Sequence, residues 1–246
     1  MDYRTHYERL APSFTRHWSY TPEFVSWMTG CLVERLQLGA GDCLVDCGCG
    51  TGIYTTRLVE HAARVICLDP IPAMLEHLPA DPRLVPSIGT VEQLAIGHLL
   101  VGELFDAVLL KEVIHHVNDP PATIHALARR LASGGRLLVA MLPPTIDYPL
   151  FPAALARYNR GKLTPDHVAG WMADAGLHVT TSAEQHQVDM PTEQYLDMVN
   201  DRYLSLLARF TDTEIAAGIR YIQRQHPGDS ITFTDRFAFV LGVRAH

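Results

Sequence analysis

The chain has 246 residues, and 48% of them are apolar, which is enough for a sizeable core in one or two domains. Lys and Arg number 20 against 27 Asp and Glu, so the formal net charge is −7. Because nucleic acids and anionic membranes attract basic proteins, this balance argues against both as partners. The start of the chain lacks a signal-peptide pattern, and no apolar run is long enough to span a bilayer. Five cysteines, an odd number, fit a reducing compartment, and we expect a cytoplasmic protein.

An aromatic segment opens the chain, ahead of the first predicted strand. Its ring-bearing side chains include Tyr3, His6, Tyr7, Phe14, Trp18 and Tyr20. From about Gly41 to Leu142, short apolar runs alternate with amphipathic stretches. We predict a helix over 54–63 and strands at 44–46, 65–69, 83–88, 105–110 and 136–142, with a proline weakening the third strand. Apolar strands separated by helices indicate a parallel sheet covered on both faces.

Between the fourth and fifth strands, Asp119 followed by Pro120 is typical of a helix start, and Gly134–Gly135 predicts the end of that helix. Prolines after Leu142 indicate a loop. A helix is predicted from Thr164 to about Gly176, and a strand over 177–180.

The last third of the chain turns helical again from Thr192. Apolar residues at helical spacing form one stripe: Tyr195, Met198, Val199, Tyr203, Leu206 and Leu207. A capping box at Thr211 and Glu214 opens a further helix that Pro227–Gly228 ends, and 231–243 alternates as a final strand would. The helices over 192–226 therefore interrupt the sheet, and such insertions commonly cover ligand sites.

The sharpest local motif is the glycine-rich stretch 45–52, directly after the first strand. Alternate glycines let a backbone turn tightly and let a ligand approach the main chain. A Walker A loop would need Lys–Ser/Thr after its last glycine, and the dinucleotide fingerprint would need a glycine where Ile53 stands. The remaining pattern is an acid, three alternate glycines and a second acid at the end of the next strand: Asp46, Gly48, Gly50, Gly52 and Asp69.

This pattern resembles the class I S-adenosylmethionine-dependent methyltransferases, most closely over 39–142. In that family the glycine loop wraps the methionine and ribose of the cofactor, and the second acid accepts hydrogen bonds from both ribose hydroxyls, which suits a carboxylate. Many relatives carry an acid for the adenine amino group where this chain has Thr90, so Thr90 or backbone groups are expected there. The implied cofactor-binding residues are Asp46, Gly48, Cys49, Gly50, Gly52, Asp69, Pro70, Thr90, Val91, Lys111 and Tyr7.

The segment 110–120 is similar to its counterpart in ubiquinone and menaquinone biosynthesis methyltransferases, where a histidine commonly precedes a Val-x-Asp-Pro helix start. His116 matches that histidine, and His115 is additional. Methyl transfer from a sulfonium needs alignment, desolvation and at most one base, so Glu112, His115 and His116 are the candidate catalytic residues. No metal is expected, because the cysteines match no zinc spacing and are better explained as packing thiols.

The resemblance implies a Rossmann-like, doubly wound α/β fold with a seven-stranded, mostly parallel sheet whose last strand is antiparallel. We predict one domain, 1–246, made of a helical lid (1–38, where residues 7–11 resemble the family's lid motif), a cofactor-binding core (39–142), an acceptor-binding cap with one further strand (143–230) and the final strand (231–246). The lid segment is equally consistent with simple helix packing.

The expected reaction converts S-adenosyl-L-methionine to S-adenosyl-L-homocysteine and methylates an O, N or C atom of a small apolar or aromatic metabolite, as in secondary metabolism. For the oligomeric state, we consider a homodimer. One alternative is a protein that binds the cofactor without transferring methyl, as a regulator or as a cyclase or decarboxylase that uses the sulfonium electrostatically. An NAD-dependent oxidoreductase is disfavoured because the dinucleotide fingerprint is absent.

Overall fold

The structure is a computed structural model that describes residues 3–159 and 163–245, with the side chains of Tyr3 and Arg4 excluded. Within those residues the centre is a seven-stranded sheet of order β3-β2-β1-β4-β5-β7-β6. The strands are β1 (Cys43–Cys47), β2 (Arg64–Asp69), β3 (Leu84–Ile88), β4 (Phe105–Lys111), β5 (Leu131–Met141), β6 (His178–Pro191) and β7 (Ser230–Val243). Strands β1 to β5 pair in parallel, and β7 is antiparallel to both of its neighbours. The predicted fold class is confirmed.

Ten α-helices are described around this sheet. They are α1 (Tyr3–Trp18), α2 (Pro22–Leu36), α3 (Thr55–Leu58), α4 (Pro72–Leu75), α5 (Val91–Ala95), α6 (Pro120–Arg129), α7 (Pro152–Tyr158), α8 (Pro165–Asp174), α9 (Thr192–Asn200) and α10 (Asp212–Gln225). Short 3₁₀ turns cover Val59–His61, Ile114–His116 and Ser205–Arg209. In the described part of the chain, no helix has the length and apolarity to cross a bilayer.

Both faces of the central strands are buried. Along β4, Leu109 belongs to the core cluster that includes α2, α9 and α10, and Val108 belongs to the cluster that includes α5, α6 and α8. This arrangement explains why the central strands are continuously apolar. β3 lies at the edge of the sheet, where the missing N–H of Pro86 is tolerated.

Three predicted helix starts are confirmed by their caps. The Asp119 carboxylate accepts a hydrogen bond from the Ala122 N–H at the start of α6. Thr164 and Thr211 form capping boxes that open α8 and α10. Each cap satisfies N–H groups that the first helical turn leaves without partners.

Two predicted helix boundaries near the core were wrong. α6 ends at Arg129, and Gly134–Gly135 instead lie within β5, where the register with β4 shifts and Gly134 has φ of 71°. The helix predicted over 54–63 is divided into α3 and the 3₁₀ turn Val59–His61. Glycines can mark an irregular strand as well as a helix end, and the sequence alone did not separate the two.

The C-terminal helices and strand β6 also differ from expectation. The stripe from Tyr195 to Leu207 is divided between α9 and a 3₁₀ turn, because Arg202 adopts a left-handed φ of 59° between them. β6 extends from His178 to Pro191, well beyond the predicted 177–180. It is an edge strand with mostly exposed or half-buried polar side chains, so it lacks the apolar pattern on which the prediction relied.

Candidate active site

A cavity of about 250 Å³ lies at the carboxyl ends of β1 and β4. These strands are neighbours in the sheet, but β1 leads to β2 on one side and β4 leads to β5 on the other. Ligands of open α/β sheets bind at such a switch point, where the connections diverge. α9 and α10 lie between β6 and β7, as expected for a helical insertion between sheet strands.

The glycine loop forms one wall of this cavity. Gly48 and Gly50 have φ of 70° and 56°, a region that side chains disfavour. A Cβ on Gly48 would collide with the Val113 side chain, and one on Gly50 would lie 3.2 Å from Cε1 of Phe14 in α1. The loop therefore needs glycine both for its backbone conformation and for close contact with its neighbours.

Two buried carboxylates stand beside this loop. Asp69 accepts hydrogen bonds from the N–H groups of Gly50 and Ile71, each at 2.9 Å, and burial raises its pKa to about 6. Asp46 accepts a 2.6 Å hydrogen bond from the Thr55 hydroxyl, and burial likewise raises its pKa to about 6. Both line the cavity, so they hold the loop in place and give the site a negative potential when ionised.

α1 covers the cavity from above. The Tyr7 hydroxyl lies 3.3 Å from Nε2 of His116, and the Thr15 and Thr51 hydroxyls lie 2.7 Å apart. Tyr7, Phe14 and Trp18 line the cavity. The side chain of Tyr3, part of the same aromatic segment, lies outside the described residues. The described part of α1 thus sits where a lid would be.

The segment after β4 brings the predicted catalytic residues to the cavity. Glu112 has a left-handed φ of 57°, and its Oε1 accepts a 2.6 Å hydrogen bond from the Leu142 N–H. Burial, aided by the nearby His115, lowers the pKa of His116 to about 3, so its ring is neutral at physiological pH. His115 is exposed, with its ring 4.1 Å from that of His116. Their catalytic roles stay predictions.

The remaining predicted cofactor residues line the same cavity, at the ends of β2, β3 and β4. Thr90 caps α5: its hydroxyl accepts from the Gln93 N–H at 3.3 Å. Pro70, Val91 and Lys111 border the cavity, and Cys49 is half-buried in the glycine loop. The structure therefore gathers all eleven predicted cofactor residues except Gly52 on the cavity wall; Gly52 ends the loop behind it.

The cysteines are all free thiols, and Cys43, Cys47 and Cys67 are buried. Among the described residues, no cluster of three or more His, Cys, Asp or Glu side chains could hold a metal ion.

Sequence reasoning missed several residues in and beside the wall of the cavity. Tyr54, Tyr158 and Leu204 line it, and Asp235 of β7 lies close enough for its charge to act on Lys111. Asp235 is fully buried, its Oδ1 accepts a 2.6 Å hydrogen bond from the Tyr148 hydroxyl, and burial raises its pKa to about 7. The sequence did carry a signal for it, namely an acid at an inward position of the final strand.

The sheet order, the antiparallel β7 and the glycine loop with Asp69 define a class I S-adenosylmethionine-dependent methyltransferase fold. Residues 45–139 match the family described as methyltransferase domain. An uncharacterized methyltransferase of Mycobacterium tuberculosis is 39% identical over 132 residues, which are 53% of this chain and 46% of the relative. A ubiquinone biosynthesis O-methyltransferase of Xylella fastidiosa is 29% identical over 162 residues, covering 59% of this chain and 64% of the relative. Over 45–139 the chain therefore matches the methyltransferase domain family, and its fold is that of the class I methyltransferases.

One solved structure extends the comparison of folds. Phosphoethanolamine N-methyltransferase 2 of Haemonchus contortus, in complex with phosphomonomethylethanolamine and S-adenosylhomocysteine, aligns with a TM-score of 0.61 and 15% identity. The alignment covers 100% of this chain and 61% of that chain. At this identity the likeness establishes the fold. The chain spans about half the length of its mycobacterial relatives.

Proposed function

We propose that this protein is an enzyme that transfers a methyl group from S-adenosylmethionine to a small apolar or aromatic acceptor, leaving S-adenosylhomocysteine. The observation that carries the proposal is a cavity whose wall combines the glycine loop and Asp69 with aromatic and aliphatic side chains. The loop and Asp69 have the chemistry to hold the cofactor, and the apolar side chains suit an apolar acceptor.

The residues at the loop end fit this cofactor. Gly48 and Gly50 leave the main chain open to a ligand, since neither carries a side chain. Each Asp69 oxygen accepts one backbone hydrogen bond and keeps a lone pair for a ribose hydroxyl. Asp46 adds a second carboxylate that favours a cationic ligand. When bound, the cofactor supplies an electrophilic methyl group on a positively charged sulfur.

The apolar part of the cavity wall favours an apolar or aromatic acceptor. It comprises Trp18, Tyr54, Met141, Leu142, Tyr158, Leu204 and Leu206. Aromatic side chains pack well against a flat ring in offset or edge-to-face geometry. With α1 over the loop, this wall would exclude water from the reacting groups.

The alternative role is binding without transfer. A protein that only binds the cofactor needs no acceptor space, and filling that space would not impair it. Tyr158 and Leu204 line the same cavity as the glycine loop and Lys111, and this shared cavity favours methyl transfer. A small molecule is then the partner that fits best, in keeping with the net charge of −7. The homodimer stays a prediction.

The proposal is tested by incubating the protein with methyl-labelled S-adenosylmethionine and a cell extract, followed by mass spectrometry of the small molecules. We expect one labelled metabolite that is absent with heat-denatured protein. Tight cofactor binding without any labelled product would favour the binding role. Label in transfer RNA or in a basic peptide would contradict a small-molecule acceptor.

A further inference from the structure

Lys111 ends β4 and reaches the wall of the cavity. Its Nζ lies 4.8 Å from the centre of the Tyr54 ring and 5.0 Å from that of Phe237. Among the described residues that line the cavity, it is the one lysine or arginine. Lys111 therefore offers the cavity an amine held between two aromatic faces.

Asp235 lies behind this lysine, on β7. One carboxylate oxygen accepts from the Tyr148 hydroxyl at 2.6 Å, whereas Oδ2 is buried and has no hydrogen-bond partner among the described residues. Such a carboxylate is unfavourable for folding. Buried ionisable groups with a shifted pKa next to a cavity are typical of functional sites. The burial of the Asp235 carboxylate is thus better explained by its effect on Lys111 than by a contribution to stability.

The charges around Lys111 act in opposite directions. The carboxylates of Asp46, Glu112 and Asp235 favour its ammonium form, and burial favours the neutral amine. Burial is the larger effect, so the pKa of Lys111 lies below its usual range. A cation sharing the cavity would favour the neutral amine further, because like charges repel strongly where water is excluded.

The three bases expected from sequence are less well placed. His116 faces Tyr7 in the lid, and its pKa of about 3 makes it a weak base. Oε1 of Glu112 accepts from the Leu142 N–H, which holds this carboxylate towards the end of β5. His115 is exposed rather than enclosed by the aromatic wall.

We propose that Lys111 is a catalytic residue that contacts the acceptor and takes the proton from its hydroxyl group during methyl transfer, with Asp235 as a positioning residue behind it. This inference rests on the proposed function. It narrows the acceptor to a phenol or an enol, bound against Trp18, Tyr54 and Tyr158.

The proton balance favours this acceptor class. The O–H bond of the acceptor breaks, its oxygen bonds the methyl carbon, and the proton moves to Nζ of Lys111. The bonding pair of the S–C bond stays on the cofactor's sulfur, so Lys111 gains the positive charge that sulfur loses. A phenolic hydroxyl has a pKa of about 10, so it is protonated at neutral pH and needs a base, and a lysine with a lowered pKa is more readily available as the neutral amine that accepts a proton. A carboxylic acid is already ionised, so it needs no base.

The test follows the protonation of Lys111 directly. The chain contains two lysines, Lys111 and Lys162. The full chain labelled with ¹³C at the lysine Cε atoms therefore gives two NMR signals, which a Lys162→Arg variant assigns. Both signals are followed from pH 7 to 9, for the protein alone, with S-adenosylhomocysteine and with S-adenosylmethionine.

We expect Lys111 to titrate below the usual lysine value of about 10.4, and lower still, by about one unit, with the cationic cofactor than with the neutral product. Asp235→Asn should lower the Lys111 midpoint further, because it removes a charge that favours the ammonium form. Ordinary titration of Lys111 in all three states would overturn the inference. If neither ligand binds, the proposed function fails, and this inference fails with it. If both bind and Lys111 titrates normally, this inference alone fails.

The rate at which Lys111 variants methylate a phenol distinguishes two roles for Lys111, a base that takes a proton and a cation that binds an anion. Lys111→Met should lower kcat by about 10²-fold or more, a loss that a saturating cofactor concentration does not restore. Lys111→Arg should not restore the rate, because a guanidinium stays protonated. Full rescue by arginine would show that the site needs only a positive charge, and would overturn the assignment of a base.

Discussion

The Tyr7 hydroxyl of α1 lies 3.3 Å from Nε2 of His116, so the N-terminal helix and the segment after β4 meet over the cavity. Tyr7→Phe removes this contact and keeps the ring. We expect S-adenosylhomocysteine to bind about 2- to 10-fold more weakly, because one hydrogen bond contributes about 0.5–1.5 kcal/mol. Isothermal titration calorimetry measures the change.

Tyr221→Phe provides the matched control for Tyr7→Phe, since Tyr221 lies in α10 and does not line the cavity. Equal effects of the two substitutions would mean that the contact between Tyr7 and His116 does not close the site.

Asp69→Ala should weaken cofactor binding by about 1.5–3 kcal/mol, as expected for the loss of hydrogen bonds between a carboxylate and the ribose. The substitution also leaves the N–H groups of Gly50 and Ile71 without their acceptor. Calorimetry with S-adenosylhomocysteine measures the affinity, and circular dichroism checks the fold. Asp166→Ala, at an exposed position of α8, is the control. Unchanged affinity in the Asp69 variant would remove Asp69 from the cofactor site.

The affinity for the cationic cofactor should depend on pH. The pKa of both Asp46 and Asp69 is raised to about 6, so both are largely ionised at pH 7.5 and become protonated as the pH falls through 6. Protonation removes negative charge from the cavity, so S-adenosylmethionine should bind more weakly at pH 5 than at pH 7.5. The neutral product S-adenosylhomocysteine should respond less. Parallel profiles for the two ligands would contradict an electrostatic role for these carboxylates.

Asp235→Asn should stabilise the protein at alkaline pH. The folded pKa of Asp235, about 7, exceeds the ordinary value of 3.8, so its contribution to stability is fully present below 3.8 and is lost progressively as the pH rises from there to 7. Relative to the unsubstituted protein, we expect the variant to gain about 1–3 kcal/mol of unfolding free energy at pH 8, and less at pH 5. Denaturant unfolding at both values measures this difference.

Asp189→Asn on β6 is the control for that comparison, because Asp189 is exposed. A gain for Asp235→Asn that is the same at pH 5 and pH 8 would show that ionisation of Asp235 is not its cause.

The sequence predicted the cofactor half of the molecule well because its signals are local. The acid–glycine pattern from Asp46 to Gly52 needs no distant contact to be recognised, and the caps at Asp119, Thr164 and Thr211 depend on adjacent residues alone. β1, β2 and β4 are apolar because both of their faces are covered, and this property appears directly in the residue order.

The acceptor half was harder to predict because it depends on distant contacts. Asp235 becomes part of the site only when β7 inserts between β5 and β6. Glu112 looked like a free base, but its carboxylate reaches the Leu142 N–H at the end of a neighbouring strand. The break between α9 and the following 3₁₀ turn depends on the left-handed backbone of Arg202, and an apolar stripe does not reveal it.

The central claim is that one cavity brings the cofactor and a small acceptor together for methyl transfer. The most direct measurement is the amount of S-adenosylhomocysteine formed by the protein with a panel of phenols, compared with the amount of methylated phenol in the same sample. We expect equal amounts of both products with at least one phenol, and much less of both products in Asp69→Ala at the same subsaturating cofactor concentration. Cofactor that binds but is never consumed with any small acceptor would contradict the account.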